Sequence, residues 1–380
     1  MSLHGPFSFA RWWAMVLKEF LQLKRDRITF AMVVGIPLVQ LALFGYAINT
    51  DPKHMPTVVL AADRSEFTRS FLAALEQSDY FRIVGEAPDE ASARAALARG
   101  EAVFVLNVPA NFTRDLLRGE RPALLVEADA TDPVATGTAL GAVEQIARSV
   151  VRKDAGGATG YLAAGEAPFA VHVHRLYNPE GSSRNNIVPG LMGVILTLMM
   201  VLMTGLAMTR ERERGTMENL LAMPVRPLEV MAGKIVPYVA IGLLQVTLIL
   251  CVAVFVFRVP FLGSLVSLYL AALLFVAANL TVGITLSSLA KNQLQAMQMT
   301  VFYFMPNLLL SGFMFPFQGM PGWAQCLGNL LPLTYFNRLV RAIFLKGTPG
   351  LDLWPNVWPL MLFTAVVMAI AVKFYRKTLD

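Results

Sequence analysis

Charge is scarce in this 380-residue chain. Asp, Glu, Lys and Arg make up 15% of it and hydrophobic residues 56%, whereas soluble domains carry about 25% charged residues. That shortage excludes an ordinary soluble enzyme. Cysteine is almost missing too. Cys251 and Cys326 are too few for a disulfide scaffold, and with the four histidines they make no zinc-ligand spacing. The chain also has no Gly-x-x-x-x-Gly-Lys-[Ser/Thr] phosphate loop: its one Gly-Lys pair, Gly233-Lys234, is followed by Ile235 and lacks the upstream glycine. It cannot bind ATP through that device. The net charge of +6 suggests nucleic acid only if Lys and Arg gather on a soluble face.

What is present is apolar length. A membrane helix needs about 20 mainly apolar residues to cross a hydrocarbon layer of ~30 Å. Six stretches predict spans, at 28–48, 187–209, 235–257, 265–289, 294–315 and 357–372, the last being the shortest. Residues 1–27 precede the first, too many for a cleavable leader whose apolar core is 7 to 15 residues and lies near the start. Within them Phe9, Trp13, Val16, Phe20 and Leu23 form an apolar face at steps of three or four, which predicts a helix lying on the inner surface.

The basic residues follow topology. With the N-terminus in the cytoplasm, fourteen Lys and Arg fall in inside segments and four, Arg258, Arg338, Arg341 and Lys346, in short outside loops. The positive-inside rule then puts both termini in the cytoplasm and the segment 49–186 outside. That reading absorbs the net charge and leaves no nucleic-acid patch.

Residues 49–186 alternate β-rich and helix-like runs: strands at 57–61, 81–85, 102–107, 123–128 and 169–175, helices at 65–75, 89–97, 111–117 and 133–151, and a glycine-rich connection at 153–165. Such alternation predicts an α/β domain with a largely parallel sheet. His172 and His174 share a strand face but have no acidic or cysteine partner near in sequence, so a solvated face explains them better than a metal. Asp129 and Asp132, before Pro133, read as helix caps. The domain reads as a recognition or docking element.

Residues 178–234 carry the most specific pattern. Asn178-Pro179-Glu180 is followed by Val188-Pro189-Gly190, and the second span leaves the membrane through Arg210-Glu211-Arg212-Glu213-Arg214-Gly215-Thr216. Thr216 is a candidate N-cap, with Glu218 in the first turn where it complements the helix dipole. Pro224 ends that helix, and Pro227 opens a second piece expected to end near Gly233-Lys234. These residues predict a cytoplasmic helical hairpin, 210–234.

Together the stretch resembles the ABC-2 type exporter permeases, in the branch with a large external domain after the first span. Leu331-Pro332-Leu333-Thr334-Tyr335-Phe336 resembles that family's external segment before the last span, here 316–356, where short helices dip back toward the bilayer. The resemblance implies that two permease chains, identical or related, pair in the bacterial inner membrane. It also implies that each presents a coupling helix to a separate ATPase subunit that binds ATP and magnesium, with no cofactor in this chain. On this sequence the coupling residues would be Arg212, Glu213, Thr216, Met217, Glu218, Leu220 and Leu221.

Ion-coupled carriers usually bury ionisable residues mid-membrane; the six predicted spans contain none. An external energy source is therefore expected. Uncharged polar groups inside the spans, Thr204, Gln245, Asn279, Asn307 and Ser311, are candidates for a substrate path, although each can instead bond a neighbouring helix. The resulting expectation is an α-helical polytopic membrane protein with six transmembrane helices, an inserted α/β extracytoplasmic domain and a 373–380 cytoplasmic tail. It would export hydrophobic or amphipathic compounds, as in drug efflux, in contact with membrane lipids and with a periplasmic adaptor. An exporter of lipid or envelope polymer is the nearest alternative. A membrane sensor with a ligand-binding external domain is the alternative of another class.

Overall fold

The computed structural model describes residues 53–154, 169–213 and 227–377. The expected first span, the N-terminal surface helix and most of the glycine-rich connection lie outside them.

The first described unit is a five-stranded sheet with helices: β1 (Met55–Ala61), α1 (Glu66–Gln77), β2 (Phe81–Glu86), α2 (Glu90–Arg99), β3 (Phe104–Val108), α3 (Phe112–Leu117), β4 (Ala123–Asp129), α4 (Pro133–Asp154) and β5 (Ala170–Leu176). Local chemistry sets these boundaries. Ser65 caps α1 by accepting the Thr68 amide, and Asp89 forms a reciprocal capping box with Ser92 at the start of α2. Gly100 ends α2 in the left-handed region at φ 74°, which costs a residue without Cβ little.

The strand order is β2-β1-β3-β4-β5. Pairs β1–β2, β1–β3 and β4–β5 are parallel, whereas β3–β4 is antiparallel. The sheet is thus largely parallel, as expected, with one antiparallel pair at its centre. The connection through α3 has only six helical residues and returns the chain beside β3, while the 22-residue α4 carries it back along the sheet so that β5 runs parallel to β4. A phenylalanine cluster fills one face: Phe169 meets Phe67, Phe71 and Phe112 with ring centroids 5.4 to 6.0 Å apart.

The second unit is helical: α5 (Ser183–Glu213), α6 (Pro227–Cys251), α7 (Leu265–Leu289), α8 (Gln293–Leu310), α9 (Gly322–Gly328), α10 (Pro332–Arg341) and α11 (Trp354–Lys377). Among the described residues four helical stretches are long and apolar enough to cross a membrane: Ser183–Arg210, Pro237–Val256, Leu265–Leu289 and Gly350–Ala371. Three expectations change. The stretch 294–315 is helical only to Leu310, because the chain turns at Ser311 and Gly312, the latter at φ 76° against Phe317. Gln293, Gln295 and Gln298 also lower its hydropathy, so it is not among the four. The last span is longer than 357–372, since Pro355 sits in the first turn of α11, where a missing N–H costs no helical bond. Finally, the piece opened by Pro227 does not stop at Gly233-Lys234 but continues without a break to Cys251, with Pro237 inside it.

α7 is the hub. More than half of its span is buried, against 17% for the span of α6 and 11% for that of α11. Small residues allow the closest approach: a Cβ added at Gly283 would stand 2.9 Å from both the Cβ of Thr204 and the carbonyl oxygen of Val201 on α5. Phe275 of α7 stacks on Phe336 of α10, centroids 4.1 Å apart and planes at 5°. The Pro237–Val256 span and α11 instead expose Leu244, Leu248, Phe255, Met361, Leu362 and Val366, a surface suited to a bilayer rather than to water.

Candidate functional site

α5 sets the geometry. At 1.5 Å per residue its 31 residues reach about 46 Å. The α/β unit joins its start and Glu213 closes it, so the two lie at opposite ends of a membrane-length helix.

At the far end, Glu213 accepts from the Gln293 backbone amide at 2.8 Å and from its side-chain amide at 2.5 Å. Gln293 opens α8, whose N-cap Asn292 accepts from the Gln295 amide, so Glu213 satisfies a second amide of a helix start that favours negative charge. The Gln293 side-chain bond, then the backbone bond, hold the carboxyl below its ordinary pKa of 4.5. Of the other expected coupling residues, Arg212 lies in α5 beside Glu213, whereas Thr216, Met217, Glu218, Leu220 and Leu221 lie outside the described residues.

The five candidate path residues are distributed through the bundle. Thr204, in α5, is buried against Gly283 and donates to its own helix at Met200 O, 2.6 Å away. Asn279 in α7 and Asn307 in α8 are fully buried; each donates one turn back, to Phe275 O and Tyr303 O at 2.9 Å, and each leaves its Oδ1 without a protein partner. Gln245 is half-buried with Oε1 unpartnered. No hydrogen bond among the described residues joins these four side chains to one another. Ser311 differs: it accepts from Asn337 Nδ2 of α10 at 3.4 Å.

Ser311 and Asn337 border a cavity of about 950 Å³ between the α/β unit and the segment containing α9 and α10. Asp129, Asp132, Arg338, Arg341 and Lys346 also line it. Arg341 Nη2 donates to Gly312 O at 3.1 Å, while its shielded Nε finds no protein acceptor. Arg338 lies over the Phe317 ring, 4.6 Å from the centroid. From sequence Arg338 and Arg341 counted only as topology markers. Their spacing of three on a ten-residue amphipathic helix was the available signal, and it places both on one side.

One ion pair fastens the two units together. Lys346 Nζ stands 2.6 Å from Asp129 Oδ2 and donates to Leu97 O at 2.8 Å, with the two side chains only 7% and 11% exposed. Asp129 is therefore an ion-pair partner, not simply a cap as expected; its other oxygen accepts from Thr131 N. Asp132 does cap α4, accepting from Val134 and Ala135 amides. Beneath Lys346 lies the Tyr177 ring, 5.1 Å away; burial, then Asp129 and Glu127, push its hydroxyl up to about 12. His174 also finds an acid that the linear sequence hid, since register sets it beside Glu127, 3.8 Å away. No group of three or more potential metal ligands occurs among the described residues.

Residues 27–373 match the family described as ABC-2 family transporter protein. The probable multidrug ABC transporter permease YbhS of Escherichia coli is 30% identical over 374 residues, 97% of each chain. The probable multidrug ABC transporter permease YbhR is 26% identical over 371 residues, covering 97% of this chain and 99% of the relative. The E. coli inner membrane transport permease YhhJ is 31% identical over 293 residues, 75% of this chain and 76% of the relative. With that coverage and with apolar helices of membrane length, this chain belongs to the ABC-2 family of transporter proteins.

Proposed function

We propose that this chain is the permease subunit of an ATP-driven exporter that moves hydrophobic or amphipathic compounds, drugs among them, out across a bacterial inner membrane. The segment 214–226 and the end of α5 meet a separate ATPase subunit on the cytoplasmic side, with Glu218, Met217, Leu220 and Leu221 forming the coupling surface. The α/β unit stands outside, six helices span, and both termini are cytoplasmic. A second permease packs on the exposed apolar faces, and a periplasmic adaptor docks on the α/β unit.

The observation that carries this reading is the pair of hydrogen bonds that Glu213 accepts from Gln293. A push at 214–226 moves the end of α5, and through Glu213 it moves the start of α8. At its other end α8 leads into Ser311 at the cavity wall. One device thus links the site of force to the polar groups of a substrate path through Thr204, Gln245, Asn279, Asn307 and Ser311. That two relatives are named probable multidrug permeases supports the cargo class.

The test is co-reconstitution of the chain with the ATPase encoded beside it, following a fluorescent lipophilic compound. ATP-dependent movement, lost when Met217, Glu218 and Leu221 are replaced by alanine, is expected. Movement against a gradient with no nucleotide-hydrolysing subunit present overturns the reading.

A further inference from the structure

We propose that the cavity between the α/β unit and α10 binds the oxyanion head group of an acidic amphiphile whose apolar part stays in the bilayer. Its lining contains more basic than acidic side chains, and the pairings decide which of them are available. Arg99 is held by Glu101 at 2.7 and 3.0 Å, and Lys346 by Asp129 at 2.6 Å. Arg338 and Arg341 have no carboxylate within ion-pair distance among the described residues. Asp132 acts on Arg341 only from farther off, and it is engaged by two amides of α4.

Arg341 is the centre of the site. Its Nη2 lies near Gly190 of α5 and donates to Gly312 O, and the shielded Nε is left with an unused proton. One helical turn earlier, the buried Asn337 donates from Nδ2 to Ser311 at the same wall, 3.4 Å away. A shielded guanidinium N–H without an acceptor is costly, and a carboxylate or phosphate oxygen removes that cost with a charge-assisted bond. Arg338, spread on Phe317, adds a second positive charge at the same wall.

Depth selects an amphiphile over a free solute. Trp323 on α9 and Trp354 and Trp358 at the start of α11 are all about half exposed, and tryptophans so placed mark the head-group zone. Phe317, Met320 and Pro321 give the same cavity an apolar side. A ligand there has its charged end at Arg341 and its apolar end toward lipid. This is a binding site, argued without the export reading and tested without nucleotide.

The experiment is calorimetric titration of the purified full-length chain in a non-ionic maltoside. Three probes are used: dihexanoyl phosphatidate, dihexanoyl phosphatidylcholine and inorganic phosphate. One phosphatidate per chain is expected, bound at least tenfold tighter than either of the others. Arg341→Gln should weaken it at least tenfold, with Arg341→Lys recovering part because charge survives without the planar fork. Equal binding of phosphatidate and phosphatidylcholine overturns the proposal. Inorganic phosphate binding as tightly as phosphatidate assigns the pocket to a free solute and overturns the amphiphile. Should Arg341→Gln not fold, Arg338→Gln decides: unchanged phosphatidate affinity there overturns the proposal, and a loss of threefold or more supports it.

Discussion

Glu213 and Gln293 are 80 residues apart in sequence and joined by two hydrogen bonds, one to backbone and one to side chain. The contact joins the last described residue of α5 to the first residue of α8.

Removing that carboxylate should uncouple the pair. Glu213→Ala is expected to lower transport-dependent stimulation of the ATPase about tenfold, while Glu213→Gln, whose carbonyl still accepts from the Gln293 amide, keeps most of it. A double-mutant cycle with Gln293→Ala should show clear non-additivity, because both single changes remove the same contact. Additive losses in vesicle ATPase assays would mean that the bond carries nothing.

Glu213 also yields a pH expectation. Its folded pKa is lowered by bonds that favour the anion. Any stability that it contributes is therefore present above the unfolded value, roughly 4.3, and is lost only as pH falls through the lower folded value. Coupling should consequently be flat between about pH 5.5 and 9 with respect to this residue. A Glu213-dependent step near neutrality, seen by comparing the wild type with Glu213→Gln across that range, contradicts the assignment.

The α/β unit was legible because its signals are local. Ser65, Asp89 and Gly100 act within one helical turn, and strand runs such as 123–128 announce themselves by period. The antiparallel β3–β4 pair was not legible, since α3 has the sequence of a crossover helix and only tertiary packing of Phe112 and Leu116 decides the return. Asp129 shows the same limit at the site. Its place before Pro133 is a capping pattern, and nothing nearby in sequence points to Lys346, 217 residues away. Thr204, Asn279 and Asn307 were correctly found as polar groups within apolar stretches. Their bonds to their own helices, one turn back, depend on packing that composition does not encode.

The Lys346–Asp129 pair predicts a one-sided penalty. Breaking a buried pair by removing one partner typically costs about 3 to 5 kcal/mol, because the other charge stays desolvated. Lys346→Met alone leaves Asp129 unpaired and Leu97 O without this donor, so its melting temperature in detergent should fall by several degrees. Lys346→Met with Asp129→Leu should recover part of the loss. A double variant as unstable as the sum of the singles would show that the two residues do not act as a pair.

Gly283 and Gly141 are both helical glycines, yet they predict opposite outcomes on replacement by alanine. At Gly141, exposed on α4, an added Cβ meets nothing within 4 Å. Gly141→Ala should therefore gain the ordinary helix preference of about 0.8 to 1 kcal/mol. At Gly283 the added methyl stands 2.9 Å from the Thr204 Cβ and from Val201 O, and a carbonyl on a packed helix cannot rotate away as a flexible side chain can. α5 and α7 must separate there, at a cost on the order of 1 to 3 kcal/mol, and Gly283→Leu should prevent assembly of the bundle. Because this approach also sets the position of Thr204, Gly283→Ala should slow transport even at temperatures where the protein stays folded. Parallel melting curves and transport rates for the two alanine variants measure this, and a Gly283→Ala protein as stable and active as the wild type would show that the α5–α7 distance is not set by this glycine.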